Sequence, residues 1–130
     1  MWKIDTAQTG IPSIFREYEW IAIGHIYKKR TGITSKSTFD YVNRFKKISR
    51  ASIIIFLNRL VNSRVIDNGE ESGKGGFHAV HKVLVEREDL PRLITLDTLK
   101  TLRSVFPEDP FLMDVQHTAQ AIIPISDKPR

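Results

Sequence analysis

The sequence predicts an α+β fold: a three-helix core, then a two-stranded ribbon, then an additional C-terminal helix. Residues 49–63 carry apolar side chains at three- and four-residue spacing, which predicts an amphipathic helix. The pattern then becomes alternating, and a glycine turn, Ser72–Gly76, separates two short segments rich in β-branched and aromatic residues. A second helical stripe runs from Leu93 to Phe106. The change of period from helical to alternating and back divides the chain into these three parts.

The chain begins with an arm, residues 1–12, that has no clear period and contains Gly10 and Pro12. This arm is either mobile or lies on a partner subunit. Ser13 is placed to cap the first helix, which should run to about Thr31 because the next residue is a glycine, a natural C-terminal stop. The apolar side of this helix is predicted to contain Ile14, Phe15, Tyr18, Ile21, Ala22, His25 and Ile26. Ile33-Thr34 predicts a short first strand.

The second helix is predicted over Ser37–Lys46, with Phe39, Val42 and Phe45 facing inward. Lys46-Lys47-Ile48 forms the turn into the third helix, for which Ser49 is a good N-cap. The buried stripe of the third helix is predicted to be Ala51, Ile53, Phe56, Leu57 and Leu60. The residues left pointing outward are Ser49, Arg50, Ser52, Ile55 and Arg59.

The two strands of the ribbon are predicted at Val65–Asp67 and Phe77–Val85. Residues 89–107 then form a helix that Asp89 can cap, and its apolar stripe consists of Leu93, Leu96, Leu99, Leu102 and Phe106. Because this stripe lies outside the three-helix core, we expect a second subunit to cover it. The prediction is a homodimer formed through the first helix and the Leu93–Phe106 helix. Residues 108–130, with three prolines, are predicted as an extended tail, either a strap over the dimer or a flexible extension.

The positive charge is concentrated in one block. The chain has a formal net charge of +5, but Lys28–Arg64 alone contains ten Lys and Arg residues against one acid, Asp40. Such a one-sided block repels itself unless a polyanion neutralises it. The position of the block, across the second and third helices, therefore favours nucleic acid as the partner.

Composition excludes several classes of protein. The chain has no cysteine, so disulfides, thiolate catalysis and cysteine metal sites are absent. The N-terminus lacks the apolar run of a secretory signal, and the longest strongly apolar run, Ile53–Leu57, is too short to span a membrane. The expected location is the cytoplasm, with the protein associated with the nucleoid or inside a host cell, and no membrane partner.

The residues I-S-R-A-S-I-x-x-x-L-x-x-L at Ile48–Leu60, then V-I, then E-S-G-K-G-G-F, resemble winged helix-turn-helix transcriptional regulators. The broad MarR/PadR-like group and small archaeal or viral winged-helix proteins are similar in this order of helix, turn and glycine wing. The resemblance covers about residues 33–85. It implies a winged-helix domain at residues 13–88, a dimerisation helix at 89–107, and a dimer that binds double-stranded DNA.

The resemblance also implies positions for the DNA contacts. The third helix would enter the major groove and the wing would touch the adjacent groove or backbone. The implied DNA-binding residues are Lys36, Arg44, Lys46, Lys47, Ser49, Arg50, Ser52, Ile55, Arg59 and Lys74. Within this set Arg50 contacts either guanine or a phosphate, and Lys74 is either a wing-tip contact or simply a charged hairpin tip. The predicted function is sequence-specific regulation of transcription, without cofactor, metal or catalytic residue.

Ile54 and Ile55 occupy positions that are usually polar in such regulators. They either contact thymine methyl groups or are covered by another element or a protein partner, and burial is favoured for Ile54. Their apolar character supports an alternative function, a winged-helix protein-interaction module in a transcription, replication or nucleoprotein assembly. A small nucleic-acid enzyme is a further alternative.

Patterns typical of catalysis are weak in this sequence. Gly73-Lys74-Gly75-Gly76 lacks the upstream glycine and the following helix of a phosphate-binding loop. His78 and His81, three apart on a predicted strand, point to opposite faces and cannot share a metal ion. The histidines are predicted to be surface or half-buried residues, and His25 a satisfied core histidine. Asp67, Glu70 and Glu71 are predicted to be solvated residues at the base of the hairpin.

Overall fold

The structure, a computed structural model, describes residues 2–73 and 76–122. The described elements are α1 (Glu17–Lys29), α2 (Ser35–Asn43), α3 (Arg50–Asn62), β1 (Glu70–Gly73), β2 (Gly76–Ala79), α4 (Leu90–Val105) and α5 (Pro110–Ile122). Short 3₁₀ turns occur at Ile11–Ser13 and Arg87–Asp89.

The α+β winged fold predicted from the sequence is wrong. Five α-helices dominate the described residues. No strand forms at Val65–Asp67, and of the strand expected at Phe77–Val85 only the first three residues are extended, as part of β2. Among the described residues, regular pairing is confined to β1 and β2, two antiparallel strands of four residues each, and the other pairs are isolated bridges. The alternating pattern predicted two long strands, but the described backbone hydrogen bonds between residues 65 and 84 form one short strand pair and isolated bridges.

The chain divides into two compact units. The first unit is Lys3–Leu84, and the second contains Trp2 and the chain from Val85 onward. Part of the predicted arm belongs to the first unit, because the Asp5 backbone N–H donates to the Ser13 carbonyl at 2.7 Å.

The core of the first unit comes from α1, α2 and α3. Its largest fully buried residues in these helices are Ile23, Ile26, Thr38, Val42, Ile53, Phe56, Leu57 and Leu60. Phe15 meets Phe56 edge to face, with ring centroids 5.8 Å apart, a geometry that aromatic quadrupoles favour. The predicted stripe of α3 is confirmed except at Ala51, which is exposed.

The bounds of α1 and α2 differ from the prediction because of local hydrogen bonds. Helix α1 starts after Arg16, whose backbone N–H donates to Glu19 Oε1 at 2.8 Å, whereas Ser13 Oγ donates to the Gly10 carbonyl instead. Helix α2 starts after Thr34, whose Oγ1 accepts from the Ser37 backbone N–H. It ends at Asn43, so Phe45 lies beyond the helix and is 64% exposed rather than inward.

The segment between α3 and Leu84 folds back on itself through backbone bonds. Ile33 and His81 exchange N–H to carbonyl bonds of 2.9 and 2.7 Å, so the short strand expected at Ile33-Thr34 is reduced to one bridge. Gly69 lies against Val80, and a Cβ at this glycine would stand 2.1 Å from the Val80 carbonyl oxygen. A glycine is therefore required here for the two backbones to approach so closely.

The second unit contains the predicted helix α4 and an additional helix, α5, where an extended tail was expected. Helix α4 buries Leu90, Leu93, Ile94 and Leu96. Helix α5 packs on it, and the Arg103 guanidinium donates to Gln116 Oε1 at 2.9 Å. Pro110, taken as a sign of extended chain, instead begins the helix, where its missing N–H costs nothing.

Candidate nucleic-acid interface

The interface is built around the N-terminus of α3. Ser49 is its N-cap, as predicted, because the Ser52 backbone N–H donates to Ser49 Oγ at 3.1 Å. The two hydroxyl oxygens are 2.8 Å apart. Both serines therefore help to begin the helix, which sets the direction in which the following side chains project.

The uncovered face of α3 differs from the predicted one. It consists of Arg50, Ala51, Ile54, Ile55, Asn58 and Asn62, all exposed. Ser52 and Arg59, predicted on this face, are half-buried on its flank. Ile54 is 42% exposed, so the burial favoured for it is wrong, and Ile55 is 62% exposed. Both isoleucines therefore leave a large part of their side chains accessible.

Arg59 is held by a buried carboxylate. One of its nitrogens lies 2.5 Å from Glu19 Oε2, and Glu19 is only 2% exposed. Its guanidinium also lies over the Phe56 ring, 5.7 Å from the centroid. A buried carboxylate is costly without a cation beside it, so Arg59 joins α3 to α1 rather than standing ready for a ligand. Sequence reasoning missed Glu19 because its partner is 40 residues away.

Four exposed cations lie on α2 and on the connection to α3. Lys36 pairs with Asp40 at 3.4 Å, and Lys46 pairs with Glu17 at 2.8 Å. Arg44 and Lys47 are exposed and form no ion pair with another described side chain. Exposed ion pairs contribute about 0–1 kcal/mol, so Lys36 and Lys46 can exchange their partners for another anion at small cost.

Arg50 and Lys36 meet at a shallow pocket of about 310 Å³ at the start of α2. Thr34, Ser35 and Ala79 line the rest of it. The first N–H groups of a helix have no intrahelical partner and attract anions. The pocket therefore combines two cations with a helix N-terminus, a combination suited to a phosphate oxygen. The prediction did not include it because Thr34 was assigned to a strand, although Thr-x-x-Ser is itself a capping pattern.

Helices α1 and α2 also meet through an aromatic stack. The rings of His25 and Tyr41 are 4.9 Å apart at an interplanar angle of 29°. Burial lowers the pKa of His25 below its usual value, and the charges of Lys29, Arg44 and Lys28 lower it further. Its Nε2 is buried without a hydrogen-bond partner. His25 is therefore an unsatisfied rather than a satisfied core histidine, and it stays neutral beside the basic block at neutral pH.

The hairpin side of the site is only partly described. Lys74 lies outside the described residues, so its predicted contact stays a prediction. His81 is buried, 4% exposed, with its Nδ1 2.7 Å from the Asp67 carbonyl oxygen, which corrects the surface or half-buried position expected for it. Asp67 Oδ1 accepts the Lys82 backbone N–H at 2.8 Å and so has a structural role. The described residues contain no group of three or more acids and histidines placed to hold a metal ion.

The chain matches no model of a protein family and no curated protein at a significant level. Among the described helices, none is both long and apolar enough to cross a membrane.

Proposed function

We propose that this protein binds double-stranded DNA in a sequence-specific manner and regulates transcription. The exposed face of α3 enters the major groove, while Lys36, Arg44, Lys46 and Lys47 bind phosphates. The observation that carries the proposal is the coincidence of an uncovered helix face with exposed cations at its N-terminal end. The proposal includes no catalytic step, and it places the protein in the cytoplasm with bacterial, archaeal or host-cell DNA.

Electrostatics supports this assignment. The unit Lys3–Leu84 carries fourteen Lys and Arg residues against seven acids, a net charge of +7. Cations that neutralise DNA phosphates release condensed counterions, which supplies affinity without sequence information. The pocket at the start of α2, which Lys36 lines, supplies one position at which a backbone phosphate can bind both a helix N-terminus and a lysine, while Arg50 is left for a base.

Sequence discrimination is assigned to Arg50. It is exposed on the first turn of α3, at the end of the helix that also carries the N-cap. A bidentate arginine contact to guanine O6 and N7 contributes about 1–3 kcal/mol of discrimination against a wrong base. A lysine on the preceding connection contributes charge alone, because an ammonium group lacks the planar fork of a guanidinium.

The test is DNA affinity measured across a salt series with the full chain. We expect log K to fall with log salt concentration with a slope of about −0.9 per phosphate neutralised. Arg50→Ala should reduce discrimination between a selected site and an unrelated duplex. Lys47→Ala should weaken both duplexes equally. A flat salt dependence would remove the phosphate contacts, and identical behaviour of the two variants would remove the division between base contact and phosphate contact.

Homodimer formation remains a prediction, but it now depends on exposed apolar side chains other than those of the predicted α4 stripe. Leu93 and Leu96 are already buried within the chain, so the α4 stripe does not require a second subunit over its whole length. Exposed apolar side chains remain at the junction of α4 and α5: Val105, Phe106, Phe111 and Met113. Size-exclusion chromatography at micromolar concentration should give a dimer, and a species of 15.0 kDa would rule it out.

A protein-interaction module is the second candidate function. The two neighbouring exposed isoleucines of α3 favour it, because contiguous exposed apolar side chains often mark an interface. In that case Ile55→Ala should abolish capture of a protein partner and leave DNA affinity unchanged. The excess of positive charge around the same face argues against this candidate, since a protein partner would need an acidic rim.

A further inference from the structure

The uncovered face of α3 is apolar in its middle and polar at its ends. Its residues recur at intervals of one, three and four, which places them within a sector of about 140° on the helix. The opposite side, Ile53, Phe56, Leu57 and Leu60, is buried. Ile54 and Ile55 lie midway along the length of this face, with Arg50 at its N-terminal end and Asn58 one turn beyond them.

This face restricts the chemistry of its partner. Two exposed isoleucines gain by leaving water, so the partner must offer apolar groups to them. The cations that lie at the N-terminal end of α3 and on the connection before it require that the same partner carry negative charge at its edges. The DNA major groove offers both, because thymine presents a C5-methyl group between two phosphate backbones.

The size and stiffness of the face also match a groove. An α-helix with its side chains is about 10–12 Å across, and the major groove is about 12 Å wide. Isoleucine on a helix is already restricted to essentially one χ1 rotamer, so little side-chain entropy is lost when it is buried against a base. Asn58 adds an amide that can pair with adenine N6 and N7, and adenine is the base opposite thymine.

We infer that Ile54 and Ile55 read thymine C5-methyl groups, so the protein selects duplexes with A·T pairs at the middle of α3 and a G·C pair at Arg50. This inference rests on the proposed DNA binding. It adds the class of sequence that is bound and the chemical group that is recognised.

The experiment starts from duplexes selected from a random pool by the full chain. In the best duplex, thymines are then replaced one at a time by deoxyuridine, which removes the methyl group and keeps the base pair. We expect affinity to fall roughly fourfold for each contacted methyl group and about fifteenfold for two. Ile55→Ala should weaken binding to the thymine duplex and make binding insensitive to the replacement at one position.

Phe45→Ala is the matched control. Phe45 is as exposed as Ile55 but lies outside α3, so its loss should leave the sensitivity to deoxyuridine intact. Circular dichroism checks that each variant is folded, and alanine at an exposed helical position is not expected to disturb the helix. Ile54→Ala provides a second test of the same face.

The outcomes separate the inference from the proposed function. If the protein selects a duplex but binds its thymine and deoxyuridine forms equally, the methyl readout is overturned while DNA binding stands. The same conclusion follows if Ile55→Ala remains as sensitive as the wild-type chain at every position. If no duplex is bound even at low salt, the proposed function itself fails.

Discussion

The two units of this protein use their surfaces differently. Lys3–Leu84 carries a net charge of +7, whereas Val85–Arg130 carries six Lys and Arg residues against eight acids, a net charge of −2. The first unit exposes cations at the N-terminal end of the helix that carries Ile54 and Ile55, while the second exposes Val105, Phe106 and Phe111 at the α4–α5 junction. We propose a corresponding division of tasks, in which the first unit binds an anionic ligand and the second makes an apolar contact.

The largest expected effect compares one aromatic residue from each unit. Phe56→Ala removes a side chain that is 1% exposed and should lower the free energy of unfolding by about 3–5 kcal/mol. Phe111→Ala, at a position 71% exposed, should change it by no more than about 0.5 kcal/mol in a monomer. Urea denaturation measures both. A large cost for Phe111→Ala that grows with protein concentration would show that this side chain is buried between two copies.

A smaller effect tests whether the irregular 65–84 segment is part of the first unit's cooperative fold. Gly69→Ala forces a Cβ against the Val80 carbonyl oxygen and should cost about 1–3 kcal/mol of stability. Gly24→Ala is the matched control, because nothing lies within 4 Å of its Cβ position inside α1. That change should stabilise the protein by about 0.4–1 kcal/mol. Thermal unfolding measures both changes in stability. If both variants are stabilised or both destabilised, this description of the segment is contradicted.

The charge difference between the units predicts a more modest effect on binding. Arg44→Ala should reduce the steepness of the salt dependence of DNA affinity by about 0.9, the contribution of one phosphate. Lys100→Ala removes an exposed cation from the second unit and should leave that slope unchanged. Fluorescence anisotropy at several salt concentrations measures both slopes. Equal losses would mean that DNA contacts both units and that the division of tasks is wrong.

The smallest expected effect is on the pH dependence of stability. Because the pKa of His25 is lowered in the folded chain, the unfolded chain binds its proton more readily. Stability should therefore be complete above a pH of about 6.5 and should fall as the pH drops from there through the lower folded pKa. His25→Gln should remove the contribution of His25 to the loss of stability at low pH. His117→Gln, at an exposed position of α5, is the control, and denaturation at pH 7.5 and 5.5 compares the variants.

Local rules predicted some elements of this protein well. Ser49 begins α3 as expected, because an N-cap depends only on a hydroxyl and the N–H groups that follow it. The α4 helix was also predicted from its apolar spacing. The predicted bounds of α1 and α2 were wrong. Helix α1 starts after Arg16 rather than Ser13, and α2 starts after Thr34, because these residues form the hydrogen bonds of the first turn.

The sequence alone determined where the positive charge lies and which side of α3 is buried at Ile53 and Phe56, because charge and helical period are properties of the chain itself. Tertiary structure decided the composition of the outer face. Arg59 turned to Glu19, 40 residues away, because a buried carboxylate needs a cation beside it. Ile54 is 42% exposed, although burial was favoured for it. Such outcomes depend on which segments become neighbours, and helical period carries no information about distant neighbours.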